Sequence, residues 1–308
     1  NSDSTPVGSP GYPETITDTR ELDKQRPAYT LPQVLEGQTG LIAEGVFGGI
    51  DHPRLSIRGS GLQRGTQPAG RGIEIREQGL PLGYADGSFD FVESIDPLSF
   101  DEVRVLRSGR AVVTSSATLG GVIDFIRYPA QLGIHKHQLR YETGSFGLQS
   151  IQGQATKQIG SAQATVNVTD YQKNGFRQHN RQDALRSQLS LEGKIKESAW
   201  RWRAGVADSS SELQLPGPQT FTQILNGSNA AQPGNVRGNW RRITQRTRLS
   251  AGLEGPTATG YLNVNMAYQL ADVQFIRRDE QDESNEDMAL QAHFKPNNSP
   301  WFFETIYQ

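Results

Sequence analysis

From about residue 135 onward the chain alternates apolar and polar residues with a period of two. Leu185, Leu189, Leu191 and Ile195 alternate with Arg186, Gln188, Ser190, Glu192 and Lys194, and Leu262, Val264, Met266, Tyr268 and Leu270 with Asn263, Asn265 and Gln269. Ala162, Ala164, Val166 and Val168 behave in the same way, as do Trp200, Trp202, Ala204 and Val206. A period of two puts one set on each face of a strand, so the pattern predicts long strands with one apolar and one polar side. About nine are legible, near 136–144, 148–159, 161–172, 183–196, 199–210, 241–254, 260–274, 286–295 and 301–308. Tight links at Gly160-Ser161, Glu197-Ser198, 255–259 and 296–300 interleave with longer ones at 173–182, 211–240 and 275–285. Strands in soluble sheets are usually about 5 or 6 residues long. Longer ones, with short turns on one side and long loops on the other, are the pattern of a transmembrane β-barrel.

The front of the chain reads differently. Residues 1–27 hold Pro6, Pro10, Pro13 and Pro27 among small polar residues, which predicts a flexible tail. Residues 28–130 alternate short β-like pieces with turns, as a mixed α/β domain does, and 131–308 form the strand region. Ile73 and Ile75, then Gln78-Gly79, then Leu80 and Leu82 read as a tight hairpin, with Gly79 supplying a positive φ. Asp96-Pro97 has the cap-then-proline order that opens a helix. Val103 to Leu106 follows as a strand, Ser115 to Gly121 as a short helix or turn, and Val122 to Ile126 as a buried apolar strand.

Composition narrows the classes further. The 308 residues carry 31 Lys plus Arg against 33 Asp plus Glu, so there is no basic footprint for nucleic acid. The absence of Cys excludes disulfides and thiolate chemistry. No run of about 18 apolar residues occurs, which rules out a transmembrane helix but not membrane strands. With only 34% hydrophobic residues and 33 Gly, the strands are expected to be wet on one face. A domain of about 100 residues has a radius of gyration near 13 Å, so a barrel enclosing it needs about 22 strands. Nine strands, the last ending at Gln308, are expected to be part of such a barrel.

Several stretches carry a resemblance. Leu55-Ser56-Ile57-Arg58-Gly59-Ser60-Gly61, Arg71-Gly72-Ile73-Glu74-Ile75-Arg76-Glu77-Gln78-Gly79-Leu80-Pro81-Leu82 and Ala85-Asp86-Gly87-Ser88 resemble the plug of TonB-dependent outer-membrane receptors. Ile95-Asp96-Pro97-Leu98, Val103 to Arg107 and Ser116 to Ile123 follow in the family's order. Tyr141, Gly144-Ser145-Phe146-Gly147 and Gly175-Phe176-Arg177 are similar to its opening barrel strands. Ser108 and Thr114-Ser115 depart from the family's pattern, and the whole looks closest to the ferric-dicitrate receptor-like branch.

The resemblance implies a mixed α/β plug followed by antiparallel strands of an incomplete barrel, about nine of an expected 22. It implies a non-enzymatic receptor in the Gram-negative outer membrane, acting as a monomer without a cofactor, with tail and plug base facing the periplasm. Its partners would be TonB with its inner-membrane complex, outer-membrane lipid, and a ferric chelate such as a siderophore or a similar scarce solute. Glu14, Thr15, Ile16 and Thr17 are the candidate TonB box. Arg58 and Arg107 match plug arginines that lock onto barrel carboxylates, although each also reads as a solvated arginine beside a turn. Gln63, Arg64, Gln67, Tyr84, Asp86 and Ser88 are candidate solute contacts at the plug apices, with Arg64 favouring an anion. The loop 211–240 is a candidate closure over the solute. Rival readings are a passive pore or adhesin, and a soluble all-β carbohydrate-binding protein.

Other signals carry less. His135 and His137 share a strand face without a third metal ligand, and Gly59, Gly61 and Gly65 lack phosphate-loop spacing. Asp279 to Glu283, with Glu286-Asp287, reads as a solvated loop, and Trp200, Trp202, Trp301 and Phe302 as an aromatic girdle or as core.

Overall fold

The computed structural model describes residues 14–18, 30–45, 49–50, 53–59, 73–82, 92–107, 120–127, 137–277, 281–296 and 303–307. The front half builds a small mixed domain. Its strands are β1 (Glu14–Asp18), β2 (Leu41–Gly45), β3 (Pro53–Ile57), β4 (Ile73–Glu77), β5 (Leu80–Pro81), β6 (Glu102–Arg107) and β7 (Gly121–Ile126). Five of them form one sheet in the order β1-β6-β7-β4-β5, with β4 parallel to β7 and the other pairs antiparallel, while β2 and β3 pair separately.

Local chemistry accounts for these elements. Helix α1 (Leu31–Leu35) opens with a capping box: Thr30 Oγ1 accepts from the Gln33 backbone N–H, and the Gln33 side chain accepts from the Thr30 N–H at 3.1 Å. Leu31, Val34 and Leu35 then fall on one buried face. The β4–β5 hairpin turns at Gln78 and Gly79, both at positive φ, as a two-residue turn that follows strand twist requires. Asp96 precedes a single 3-10 turn at Pro97–Ser99, shorter than the helix expected from its cap-proline order, and β6 follows within three residues. Gly121 lies so close to β3 and β6 that a Cβ there would stand 2.6 Å from the Leu106 carbonyl oxygen and 2.7 Å from Ile57 Cδ1. These pieces close over one apolar core that includes Ile57, Ile73, Ile75, Val103, Val105, Ile123 and Phe125.

The back half is a single antiparallel sheet of nine strands in chain order: β8 (His137–Gly144), β9 (Leu148–Ile159), β10 (Ala162–Lys173), β11 (Gln182–Lys194), β12 (Arg201–Gln214), β13 (Arg241–Pro256), β14 (Gly260–Ile276), β15 (Gln281–Pro296) and β16 (Phe303–Tyr307). All nine expected strands are present. Their faces are inverted relative to a soluble sheet. Leu139 is 81% exposed, and Ile151, Val166, Val168, Leu185, Leu189, Leu249, Met266 and Leu270 are also open on the outer face. Gln163, Asn167, Thr169, Arg186, Thr244, Arg246 and Arg248 are buried on the other. An apolar outer face over a polar interior is what a lipid-embedded wall requires.

Two expectations need revising. The link expected at 275–285 shrinks to 277–280, because β14 and β15 pair up to Phe275 and Gln281, and the acidic stretch from Gln281 is strand. About 9–11 residues cross the hydrocarbon, so strands of 16 and 17 residues continue pairing beyond it, where polar side chains are tolerated on both faces. Likewise, the flexible tail expected over 1–27 contains β1, which satisfies the outer edge of the plug sheet by pairing Glu14 to Asp18 with Leu106 to Glu102.

Candidate functional site

The plug lies against the polar face of the wall, and the seam between them is built from buried charge. Glu93, in the 3-10 turn Val92–Ser94, is 1% exposed. Its Oε1 accepts from Thr244 Oγ1 at 2.6 Å and lies 3.1 Å from Arg242 Nη2, while its backbone carbonyl accepts from Arg186 Nε at 2.9 Å. Glu77, at the end of β4, has Oε2 at 3.6 Å from Arg246 Nη2 and 3.5 Å from Arg248 Nε. Arg246 also donates to Ser94 Oγ at 3.1 Å, and Arg248 to the Pro81 carbonyl at 3.2 Å. Asp96 Oδ2 accepts from Thr169 on the wall at 2.6 Å and from Ser99 at 3.0 Å.

The strand period produces this arrangement. Residues 242, 244, 246 and 248 of β13 share one face, so three guanidiniums and a hydroxyl stand in a row about 7 Å apart. A buried charge is tolerable only when paired, and Glu77 and Glu93 supply the partners. Two further contacts fasten the plug. Arg127 donates to the Ser99 carbonyl at 2.7 Å, lies 5.3 Å from the Phe100 ring centroid and reaches Ser190 and Gln188 of the wall. Ile50 N–H donates to Gln182 Oε1 at 2.8 Å, and Ile50 packs with Tyr171, Ala184 and Leu213.

One plug carboxyl titrates unusually. Asp124 on β7 is pushed up to about 6 by burial, against the opposing pull of Arg76, the Gly79 N–H and Arg104. Two cavities flank Glu77 in the seam. One, about 40 Å³, is lined in part by Arg127, Arg203 and Arg248; the other, about 30 Å³, by Asn167, Arg186 and Arg246.

The arginines singled out in the sequence sit elsewhere. Arg58, just past β3 at φ 53°, is exposed, and its N–H donates to the Gly40 carbonyl at 2.8 Å. Arg107, at the end of β6, is buried, and its guanidinium is held below the usual arginine range by burial and then by the neighbouring Arg58. The charge of Arg58 thus bears on Arg107. Gln63, Arg64, Gln67, Tyr84, Asp86 and Ser88 lie outside the described residues, as do His135, Trp301, Phe302 and the turn expected over 115–119. Glu14 to Thr17 form β1 rather than a free segment.

The seam carboxylates and the wall arginines were missed by sequence reading. Their signal was nevertheless present: Arg242, Arg246 and Arg248 recur on the polar face of one predicted strand, and such a row demands carboxylates from whatever fills the interior.

At the loop side, the segment after β12 is organised rather than open. It carries α2 (Phe221–Leu225) and α3 (Pro233–Arg237). Arg177, held below its usual pKa by burial, donates to the carbonyls of Gly217 at 2.6 Å and Ala230 at 3.1 Å. At the opposite end, Trp200 and Trp202 lie over Gly255 and Gly193 of the neighbouring strands, filling the room that a side chain there would need.

Residues 11–122 match the TonB-dependent Receptor Plug Domain family. No curated protein sequence matches the chain. Among solved structures, the ferric citrate transporter FecA in the unliganded form is similar at TM-score 0.70 and 14% identity, over 92% of this chain and 44% of that one. The ferric yersiniabactin uptake receptor FyuA from Yersinia pestis is similar at TM-score 0.70 and 13% identity, over 94% and 46%. The copper transporter OprC is similar at TM-score 0.69 and 13% identity, over 94% and 44%. The chain therefore spans less than half the length of these structures, and their near-equal scores single out no branch. The front of the chain thus carries the plug domain of TonB-dependent receptors, and nearly its whole length has the fold of the plug and opening barrel strands of such receptors.

Proposed function

We propose that the chain forms the plug and first wall of an energy-coupled outer-membrane receptor importing a ferric chelate or a similarly scarce solute. The observation that carries this reading is a folded domain seated by buried ion pairs on the polar face of a sheet whose other face is apolar. A lumen filled in this way admits no bulky solute by diffusion, and an outer membrane has no nucleotide supply, so the pull must come from outside the protein. TonB, with its inner-membrane complex, supplies it through the N-terminal segment on the periplasmic side. Within that segment Glu14 to Thr17 serve as the TonB contact by leaving the edge of β6, since an edge strand can exchange one pairing partner for another. Gln63, Arg64, Gln67, Tyr84, Asp86 and Ser88 receive the solute, and Arg58 with Arg107 lock the plug edge. The receptor acts as a monomer. Relatives of this fold include a ferric citrate transporter and a ferric yersiniabactin uptake receptor, which favours iron; a copper transporter shares it as well.

The test is growth of a transporter-deletion strain carrying the full-length gene product on candidate iron sources, with and without TonB. Rescue only with TonB is expected. Equal rescue without it would remove the coupled mechanism and favour a passive pore.

A further inference from the structure

Among the described residues, four wall guanidiniums of the seam face three plug carboxylates. Four wall guanidiniums, Arg186, Arg242, Arg246 and Arg248, are each at most 5% exposed. They face Glu77, Glu93 and Asp96, and Asp96 is already bound by two hydroxyls. Among the described residues, Arg186 Nη1, Arg242 Nε and Arg248 Nη2 are buried donors without a hydrogen-bond partner. A buried donor left unmade costs about 1–3 kcal/mol, more when charged. The two cavities beside Glu77 are where Arg186 and Arg248 line open space, and each has room for about two or three waters.

We infer that the guanidinium row of β13, with Arg186, is an interior binding site for carboxylate groups of a transported solute, occupied in the closed state by Glu77 and Glu93 as internal ligands. This deepens the import reading above, and rests on it, by naming the solute class as a polycarboxylate anion. Guanidinium forks match carboxylates in charge and planar geometry. When the plug is displaced, its two carboxylates leave with it. The row is then exposed, with its donors about 7 Å apart along the strand, and a solute bearing several carboxylates can replace them one by one. No covalent step is involved.

The experiment uses the full-length gene product purified in detergent and needs neither TonB nor transport, so its failure is distinguishable from failure of the growth test. Glu77→Ala with Glu93→Ala vacates the row, and Glu77→Ala alone serves if the pair does not fold. Propane-1,2,3-tricarboxylate is titrated while thermal unfolding is followed, with chloride at equal ionic strength as control. The expected result is a saturable rise in Tm in the variant, with an apparent Kd at least tenfold tighter than in the wild type, lost when Arg246→Gln and Arg248→Gln are added. An equal response in wild type and variant, a response reproduced by chloride, or one that survives removal of the two arginines would overturn the site.

Discussion

Glu93 shows what a single buried carboxylate does here. Its partners, Arg242 and Thr244, come from a strand about 150 residues further along the chain, and neither is near solvent. Glu93→Ala would leave Arg242 buried without its counter-charge, a change that typically costs about 3–5 kcal/mol. A fall in thermal stability of that size is expected, with Glu93→Gln, which keeps the hydrogen bond from Thr244, falling less. Asp124 gives a pH signature of opposite sign to the usual carboxylate. Its folded pKa of about 6 lies above the model-peptide value, so the folded state binds the proton more tightly. Stability from this group is therefore greatest below about pH 4 and declines as pH rises to about 6, by on the order of 2–3 kcal/mol. Unfolding free energies measured from pH 4 to 7 should show the decline, and Asp124→Asn should flatten it. At this scale the sequence was least legible: Glu77 and Glu93 look like ordinary turn residues until the wall is placed beside them.

At the scale of elements the sequence reads well, because periodicity is local. The two faces of β10, β11, β13 and β14 follow directly from alternation, and the Gln78-Gly79 hairpin follows from its turn residues. The misjudged elements are those whose pairing depends on distant partners. β1 exists because β6 offers it an edge, and the outer ends of β14 and β15 exist because each pairs with the other. The loop after β12 illustrates the same dependence: Pro216, Gly217 and Pro218 describe any mobile segment, yet buried Arg177 binds two of its carbonyls. Arg177→Ala should remove those bonds while the strands persist. Hydrogen exchange of residues 215–240 is expected to speed up by about fivefold or more, as loss of about 1–3 kcal/mol implies, with β12 and β13 unchanged. Unchanged exchange in the loop would mean that its own two helices hold it.

For the whole molecule, the reading proposed above is a plug gripped from two directions. One grip is the seam, where wall arginines hold plug carboxylates. The proposed second is the plug edge that carries Arg107, on whose guanidinium the charge of Arg58 bears. Arg58→Ala with Arg107→Ala in the full-length gene product should loosen the plug and raise the sensitivity of cells to bulky antibiotics several-fold. Unaltered sensitivity would leave the seam as the effective lock.

What the sequence by itself determined is what depends on neighbours within a few residues: where the strands run and which face of each is apolar. What only the tertiary structure decided is which charges meet. Glu93 and Arg242 are 149 residues apart in the chain and Glu77 and Arg248 are 171 apart, and no local rule relates them. Their pairing arises because burying a row of guanidiniums is tolerable only where folding brings carboxylates against it.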